Sequence, residues 1–354
     1  MGIAGRLTMS IPLLLVLPII SIVIYIFFLW LCSNHYLDYL EGGPGLTLGV
    51  IMYLLVLAVS FSIIALFIYN AIYNSLHELY GELAGTITFI LYFIPIVMLL
   101  IKELPYLKCN EGFDEKINDL QYTVCKTSFY NAWYNASEKR FYISELFYRV
   151  LSRDEIYAVM LHENGHTRIK KWLNISRGIV TITWYFVAIT IAVFIMLLLR
   201  GNDNILMIIG LIGFILPFTP AVTTAAMVTS WIVEHEADLN ALKGAGYKAI
   251  ASSLLKLHVY GSIEGYSQYV EEIRLNLKEL EAPSKITLIH VLKTLFKYSW
   301  NVPLHYFDFI RRPLYYTHPP LEFRIYKLFN EWKHVEREKG NGSTRPGEAF
   351  NDHG

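Results

Sequence analysis

The chain has 354 residues, of which 54% are hydrophobic, 15% aromatic and only 17% charged. That balance is too apolar for an ordinary soluble enzyme. Thirty basic residues match 30 acidic ones, and a net charge of zero argues against nucleic acid or an anionic surface as partner.

From the N-terminus, five segments are apolar enough to cross a bilayer, for which about 20 residues suffice. They run over 11–32, 46–70, 84–101, 178–199 and 205–233. Every Lys and Arg except Arg6 and Arg200 lies in 102–177 or after 233. The positive-inside tendency then predicts a cell-membrane protein with both polar regions in the cytoplasm and the lipid bilayer as a partner. Three spans before residue 102 would put the N-terminus outside, whereas a re-entrant second or third segment would reverse that. The expected organisation is N-terminal transmembrane helices (1–101), the first half of a polar domain (102–177), and a transmembrane hairpin (178–233). A helical second half (234–339) and a disordered tail (340–354) follow. Cys32, Cys109 and Cys125 have no C-x-x-C spacing, and the last two are expected as free thiols facing a reducing compartment.

Between the third and fourth apolar segments, Phe129 to Tyr134 and Arg140 to Ile143 are rich in strand formers and separated by turn residues. This predicts a small β-hairpin whose edge would hold an extended peptide by backbone hydrogen bonds. Ser152-Arg153-Asp154-Glu155 is a capping box, with Leu151 and Ile156 placed for a hydrophobic staple, so a helix starts there. Acidic residues in its first turn and Lys170 and Lys171 in its last suit the helix dipole.

That helix carries His162-Glu163-Asn164-Gly165-His166. Histidines at i and i+4 project from one helical face, so both imidazoles can bind one metal ion. Glu163 lies about 100° around the helix, beside the metal rather than on it, where it can take a proton from water. Gly165 costs helix stability, which predicts close approach of a neighbouring backbone or of substrate. A catalytic zinc needs a third protein ligand and one open position. The candidate ligand is Glu234, in Glu234-His235-Glu236-Ala237-Asp238. Glu234 and Asp238 share a helical face, so one carboxylate can bind zinc while the other steadies a histidine from behind. Glu236 competes but faces away from Asp238. His235 has no partner at metal spacing and reads as structural.

These motifs resemble the integral-membrane zinc metalloproteases that include HtpX and the type I CAAX prenyl proteases. The resemblance covers roughly 125–335: Asn131-Ala132, the Asp154-Glu155 lead into His162 to His166, Glu234 to Asp238, Gly244 to Tyr247, and Thr317-His318-Pro319-Pro320 through Arg324. It implies a mainly α, multi-pass membrane protein with about five transmembrane helices and a zincin-like (gluzincin) catalytic domain carrying a small β-hairpin. It further implies one Zn2+ per chain held by His162, His166 and Glu234, Glu163 as general base, and Asp238 behind a ligand. His318 would stand near the scissile carbonyl, with Asn131 and Arg324 at the substrate. Arg168 departs from the pattern, since an apolar residue is frequent there.

The expected activity is endopeptidase cleavage of membrane or misfolded proteins near the cytoplasmic bilayer face. Its partners are protein or peptide substrates, and no sequence feature sets an oligomeric state. The alternatives are a CAAX-type processing protease, whose members have more spans, and a non-catalytic scaffold or transporter with a structural zinc site. Four protein ligands would favour the scaffold; three would favour catalysis.

Overall fold

The structure is a computed structural model that describes residues 11–43, 77, 81, 83, 86, 109–127, 130–135, 138–167, 205–261, 280–304 and 318–342. In chain order these form α1 (Ile11–Leu40), β1 (Gly112–Ile117), β2 (Leu120–Cys125), β3 (Ala132–Asn135), β4 (Arg140–Ser144) and α2 (Glu145–Val150). Helix α3 covers 153–167. Then come α4 (Ile205–Ala245), α5 (Tyr247–Gly261), α6 (Leu288–Leu304) and α7 (Leu321–Gly342). The first residues of the stretch expected as a tail thus belong to α7, and residues 343–354 lie outside the described residues.

The strands form one sheet in the order β1-β2-β4-β3. β1 and β2 pair antiparallel around Asn118 and Asp119, and Asn118 takes a left-handed backbone (φ 52°) that its short polar side chain tolerates. β2 runs parallel to β4, and β3 pairs antiparallel with β4 at the sheet edge. The predicted hairpin is therefore β3-β4, but it is half of a four-stranded sheet rather than a free-standing element.

This arrangement also bridges two cysteines expected as free thiols. Gly112 stands opposite Cys125 in the β1-β2 register, so Cys109, three residues earlier, reaches Cys125 and forms a disulfide with it. Cys32 is the free cysteine, buried in α1.

Among the described residues, no helix is long and apolar enough to cross a membrane. This overturns the expected multi-pass architecture of about five transmembrane helices. The expected spans 46–70 and 178–199 lie outside the described residues, as does 84–101 apart from Thr86. The other two fall on α1 and α4, where one face of α1 packs with α4 into a protein core while Ile19, Ile22, Val23, Ile26, Phe27 and Trp30 of α1 stay exposed. Tyr25, Phe28, Leu29, Cys32, Tyr36, Tyr39 and Leu40 of α1 are buried against Ala221, Val228, Trp231 and Ile232 of α4. Val291 and Leu295 of α6 and Phe323 of α7 complete that cluster. Length and apolarity alone do not separate a lipid-facing helix from a core helix.

A second core lies between the sheet and α3. Tyr122, Val124, Phe141 and Ile143 meet Phe147 of α2 and Ile156, Val159 and Met160 of α3. On its other side α3 buries Ala158 against Ala241 of α4, Ile250 and Leu254 of α5, and Leu328 of α7. Helix α3 is thus wedged between the sheet and the helical layer, and its apolar run ends at His162.

Candidate metal centre

The start of α3 is fixed by the predicted capping box. Ser152 N–H donates to Glu155 Oε2 at 2.6 Å, and Glu155 N–H to Ser152 Oγ at 3.4 Å. Glu155 also accepts from Lys256 Nζ (2.7 Å) and from the Ser252 hydroxyl on α5. Burial works to raise the Glu155 pKa, and these donors outweigh it and hold the carboxyl below its usual range. The N-terminus of α3 is thereby tied to α5.

Farther along, α3 meets α4 at Gly165. A Cβ there would stand 2.8 Å from Ala237 Cα and 3.2 Å from its Cβ, so the two backbones approach as only glycine permits. The Asn240 side-chain amide secures the crossing by donating to Leu161 C=O at 2.6 Å. Gly165 lies between the two histidines, and Ala237 lies within the stretch from Glu234 to Asp238. The contact therefore sets the distance between the two motifs.

His162 Nε2 and His166 Nε2 lie 3.1 Å apart. Glu234 Oε2 is 3.6 Å from His162 Nε2, and Oε1 is 3.5 Å from His166 Nε2. One donor atom from each of the three residues falls within 4.8 Å of the others. Tetrahedral zinc with ligand bonds of about 2.0–2.1 Å needs ligand atoms about 3.3 Å apart, so the triangle has the right size. Glu234 Oε2 is buried and makes no hydrogen bond among the described residues, although a buried polar atom ordinarily finds one. An oxygen left so beside imidazole nitrogens fits a cation. Two histidines and a glutamate are also a donor set that zinc takes at hydrolytic sites.

Behind the triangle, His162 Nδ1 lies 2.8 Å from Asp238 Oδ1. Asp238 in turn receives Arg324 Nε at 2.8 Å and an Arg324 terminal nitrogen at 2.6 Å. Burial pushes the Asp238 pKa up, but the Arg324 guanidinium wins and keeps this carboxyl well below the usual range. An ionised Asp238 favours the proton on Nδ1 and leaves the Nε2 lone pair free for a metal. Arg324, expected at the substrate, is buried and has its donors on Asp238, with Glu234 Oε2 3.9 Å away.

His318 leads through Pro319 and Pro320 into α7, and its Nε2 lies 3.2 Å from Glu234 Oε2. Burial opposes ionisation of Glu234 too; His318, His166 and His162 reverse this and bring its pKa down to about 2. Glu163 behaves differently. Burial dominates there and pushes its pKa up to about 7, with a smaller contribution from Glu234, against the lowering effects of His162 and Arg324. The backbone N–H of Tyr134 on β3 also donates to the Glu163 carboxylate, a contact with no signal in the sequence beyond a strand-forming run. Asn131 is placed just before β3, where its N–H donates to Ser144 Oγ (3.1 Å) and its C=O accepts from Ser144 N–H (2.8 Å). Glu236 turns to α1 and accepts from the Tyr39 hydroxyl at 3.0 Å, and His235 is buried against Tyr36.

The arrangement brings together a metal-sized triangle, a carboxyl with a raised pKa beside it, and an edge strand in contact with that carboxyl. No curated protein sequence matches the chain. Residues 109–331, more than half of the chain, match the model of peptidase family M48, and the protein belongs to that family of HtpX-like zinc metalloproteases.

Proposed function

We propose that the protein is a zinc-dependent endopeptidase that cleaves extended segments of misfolded proteins. One observation carries the reading: among the described residues three side chains, not four, can share a metal ion. A structural zinc site is closed by four protein ligands, whereas a catalytic one keeps a position open. This also weighs against a scaffold or transporter.

His162, His166 and Glu234 would hold the ion. A zinc ion so held acidifies water and polarises a carbonyl oxygen. Glu163 takes the proton of the attacking water and passes it to the leaving amine, and burial, which raises its pKa above the ordinary carboxylate range, works in the direction that suits both transfers at neutral pH. The Tyr134 N–H keeps this carboxylate in place. His318 presents an imidazole beside the site, where a donor lowers the barrier by stabilising developing negative charge. Asp238 and Arg324 hold the orientation of His162.

The sheet register supports an extended substrate. Asn131 C=O pairs with Ser144 N–H, and Trp133 stands opposite Tyr142 two residues on. Bonding alternates along an antiparallel pair, so the backbone groups of Ala132 and Tyr134 point off the free edge of β3. Tyr134 N–H goes to Glu163, which leaves the Ala132 peptide groups at the edge for pairing with a substrate strand.

The test is incubation of the purified full chain with casein, with a zinc chelator, and with zinc restored afterwards. Cleavage should stop with the chelator and return with the metal. Cleavage indifferent to the chelator, or no cleavage by zinc-loaded protein, would overturn the reading.

A further inference from the structure

Helix α1 lies before residue 109, outside the part of the chain that matches the family, yet its last turn is built into the metal centre. The Tyr36 hydroxyl is 2.7 Å from His235 Nε2, and the Tyr39 hydroxyl donates to Glu236 Oε1 at 3.0 Å. Both residues that follow Glu234 on α4 are therefore held by tyrosines one turn apart on α1. Tyr36 has none of its surface exposed, and its ring lies against Trp231 (5.4 Å) and Phe323 (5.8 Å). Helix α7 closes the other side: Lys327 Nζ donates to Tyr39 C=O at 2.7 Å, and the Asn330 amide to Leu40 C=O at 3.3 Å. One turn before Lys327, the same helix supplies Arg324 to Asp238.

We infer that Tyr36 is a positioning residue of the metal centre, acting through His235 to fix the rotation of α4 at Glu234. The role rests on the zinc reading of the site. Helix rotation matters because adjacent residues are about 100° apart around the axis, so His235 and Glu234 cannot turn independently. The Tyr36–His235 bond sits on one side of α4, and Glu234 and Asp238 face the imidazoles and Arg324 on another. Removing the hydroxyl leaves the glutamate free to turn away from the two histidines while the ligands themselves remain. Partners that orient metal ligands typically change affinity by about 10- to 100-fold when lost.

Tyr25 provides the control. It lies on the same helix and its hydroxyl is 3.0 Å from Ser299 Oγ of α6, so it ties α1 to the core without touching the residues beside Glu234. Zinc affinity is measured on the full chain by competition with a chromophoric chelator, for Tyr36→Phe, Tyr25→Phe, His235→Leu and the double variant Tyr36→Phe/His235→Leu. Tyr36→Phe should weaken zinc about tenfold or more, while Tyr25→Phe binds zinc as the parent does. The double variant should be no weaker than His235→Leu alone, because the two side chains act as one unit. If Tyr36→Phe does not fold, Tyr39→Phe, which loses only the bond to Glu236, should weaken zinc in the same direction. Zinc affinity unchanged in every α1 variant, or weakened equally in Tyr25→Phe, overturns the positioning role. His162→Ala separates the two levels: zinc lost there but kept in Tyr36→Phe sinks only the positioning role, and zinc kept in both sinks the metal site as well.

Discussion

Arg324 binds Asp238 through two nitrogens, at 2.8 and 2.6 Å, and Asp238 stands 2.8 Å from the rear nitrogen of His162. All three are buried. An ion pair taken out of water stabilises little by itself, but breaking it strands a charge at a cost of about 3–5 kcal/mol. Arg324→Ala should therefore lose stability on that scale in urea unfolding of the zinc-free protein. It should also weaken zinc binding by about 10- to 100-fold, because the Asp238 carboxylate that orients His162 loses the guanidinium that holds it. A stable Arg324→Ala protein with parental zinc affinity would show that the pair is incidental.

Gly165→Ala sets two effects against each other. Alanine favours a helix interior over glycine by about 1 kcal/mol. The added methyl, however, would meet Ala237 Cα at 2.8 Å, and backbone cannot swing aside as a flexible side chain can. Overpacking of this kind costs about 1–3 kcal/mol, so the clash should win. The expected result is a net loss of stability and weaker zinc binding, because α3 and α4 must separate where the ligands meet. Thermal unfolding and zinc titration check it; a more stable Gly165→Ala variant would mean that the helices are not so close.

These relationships divide by how local their determinants are. A glycine inside α3 signals a close approach without naming Ala237 as its neighbour, whereas the capping box, the i, i+4 histidine pair and the glutamate and aspartate of α4 are each set by local spacing along one helix and so are legible in the chain. The hairpin of Ala132–Asn135 and Arg140–Ser144 is legible for the same reason. β1 is not, because Gly112-Phe113-Asp114-Glu115-Lys116-Ile117 mixes charges with few strand formers, and pairing with β2 decides its conformation. The bridge between Cys109 and Cys125 depends on that pairing and is hidden with it. Tyr36 and Tyr39 reach the metal centre from almost 200 residues away, a distance that no local pattern encodes. The apolar helices mislead because composition does not tell a helix that packs into a protein core, as one face of α1 does, from a helix in lipid.

Acid should weaken the tie between α3 and α5. The Glu155 carboxyl titrates below its usual range in the folded state, whereas in the unfolded chain it titrates near about 4.3. The folded protein thus binds fewer protons there, so the stabilisation is complete above the unfolded value and is lost as pH falls through the folded one. Glu155→Gln should be less stable than the parent at pH 7, and the gap should close below about pH 4. Urea unfolding across that range measures it. A gap that stays constant with pH would mean that Glu155 contributes through shape and not through charge.

Glu163→Gln separates chemistry from metal binding. The side chain lies next to His162 in sequence, but it is not one of the three that share the metal-sized triangle. Glutamine keeps its size and can still meet the Tyr134 N–H through its carbonyl oxygen, so fold and zinc affinity should persist. What disappears is the ability to accept a proton from water at neutral pH, a contribution of about 10²- to 10⁴-fold to rate. Casein cleavage should fall by that factor while bound zinc, measured by metal analysis, stays at one per chain. If the zinc-loaded variant cleaves at the parental rate, the base is another residue. If it loses zinc along with activity, Glu163 belongs among the ligands.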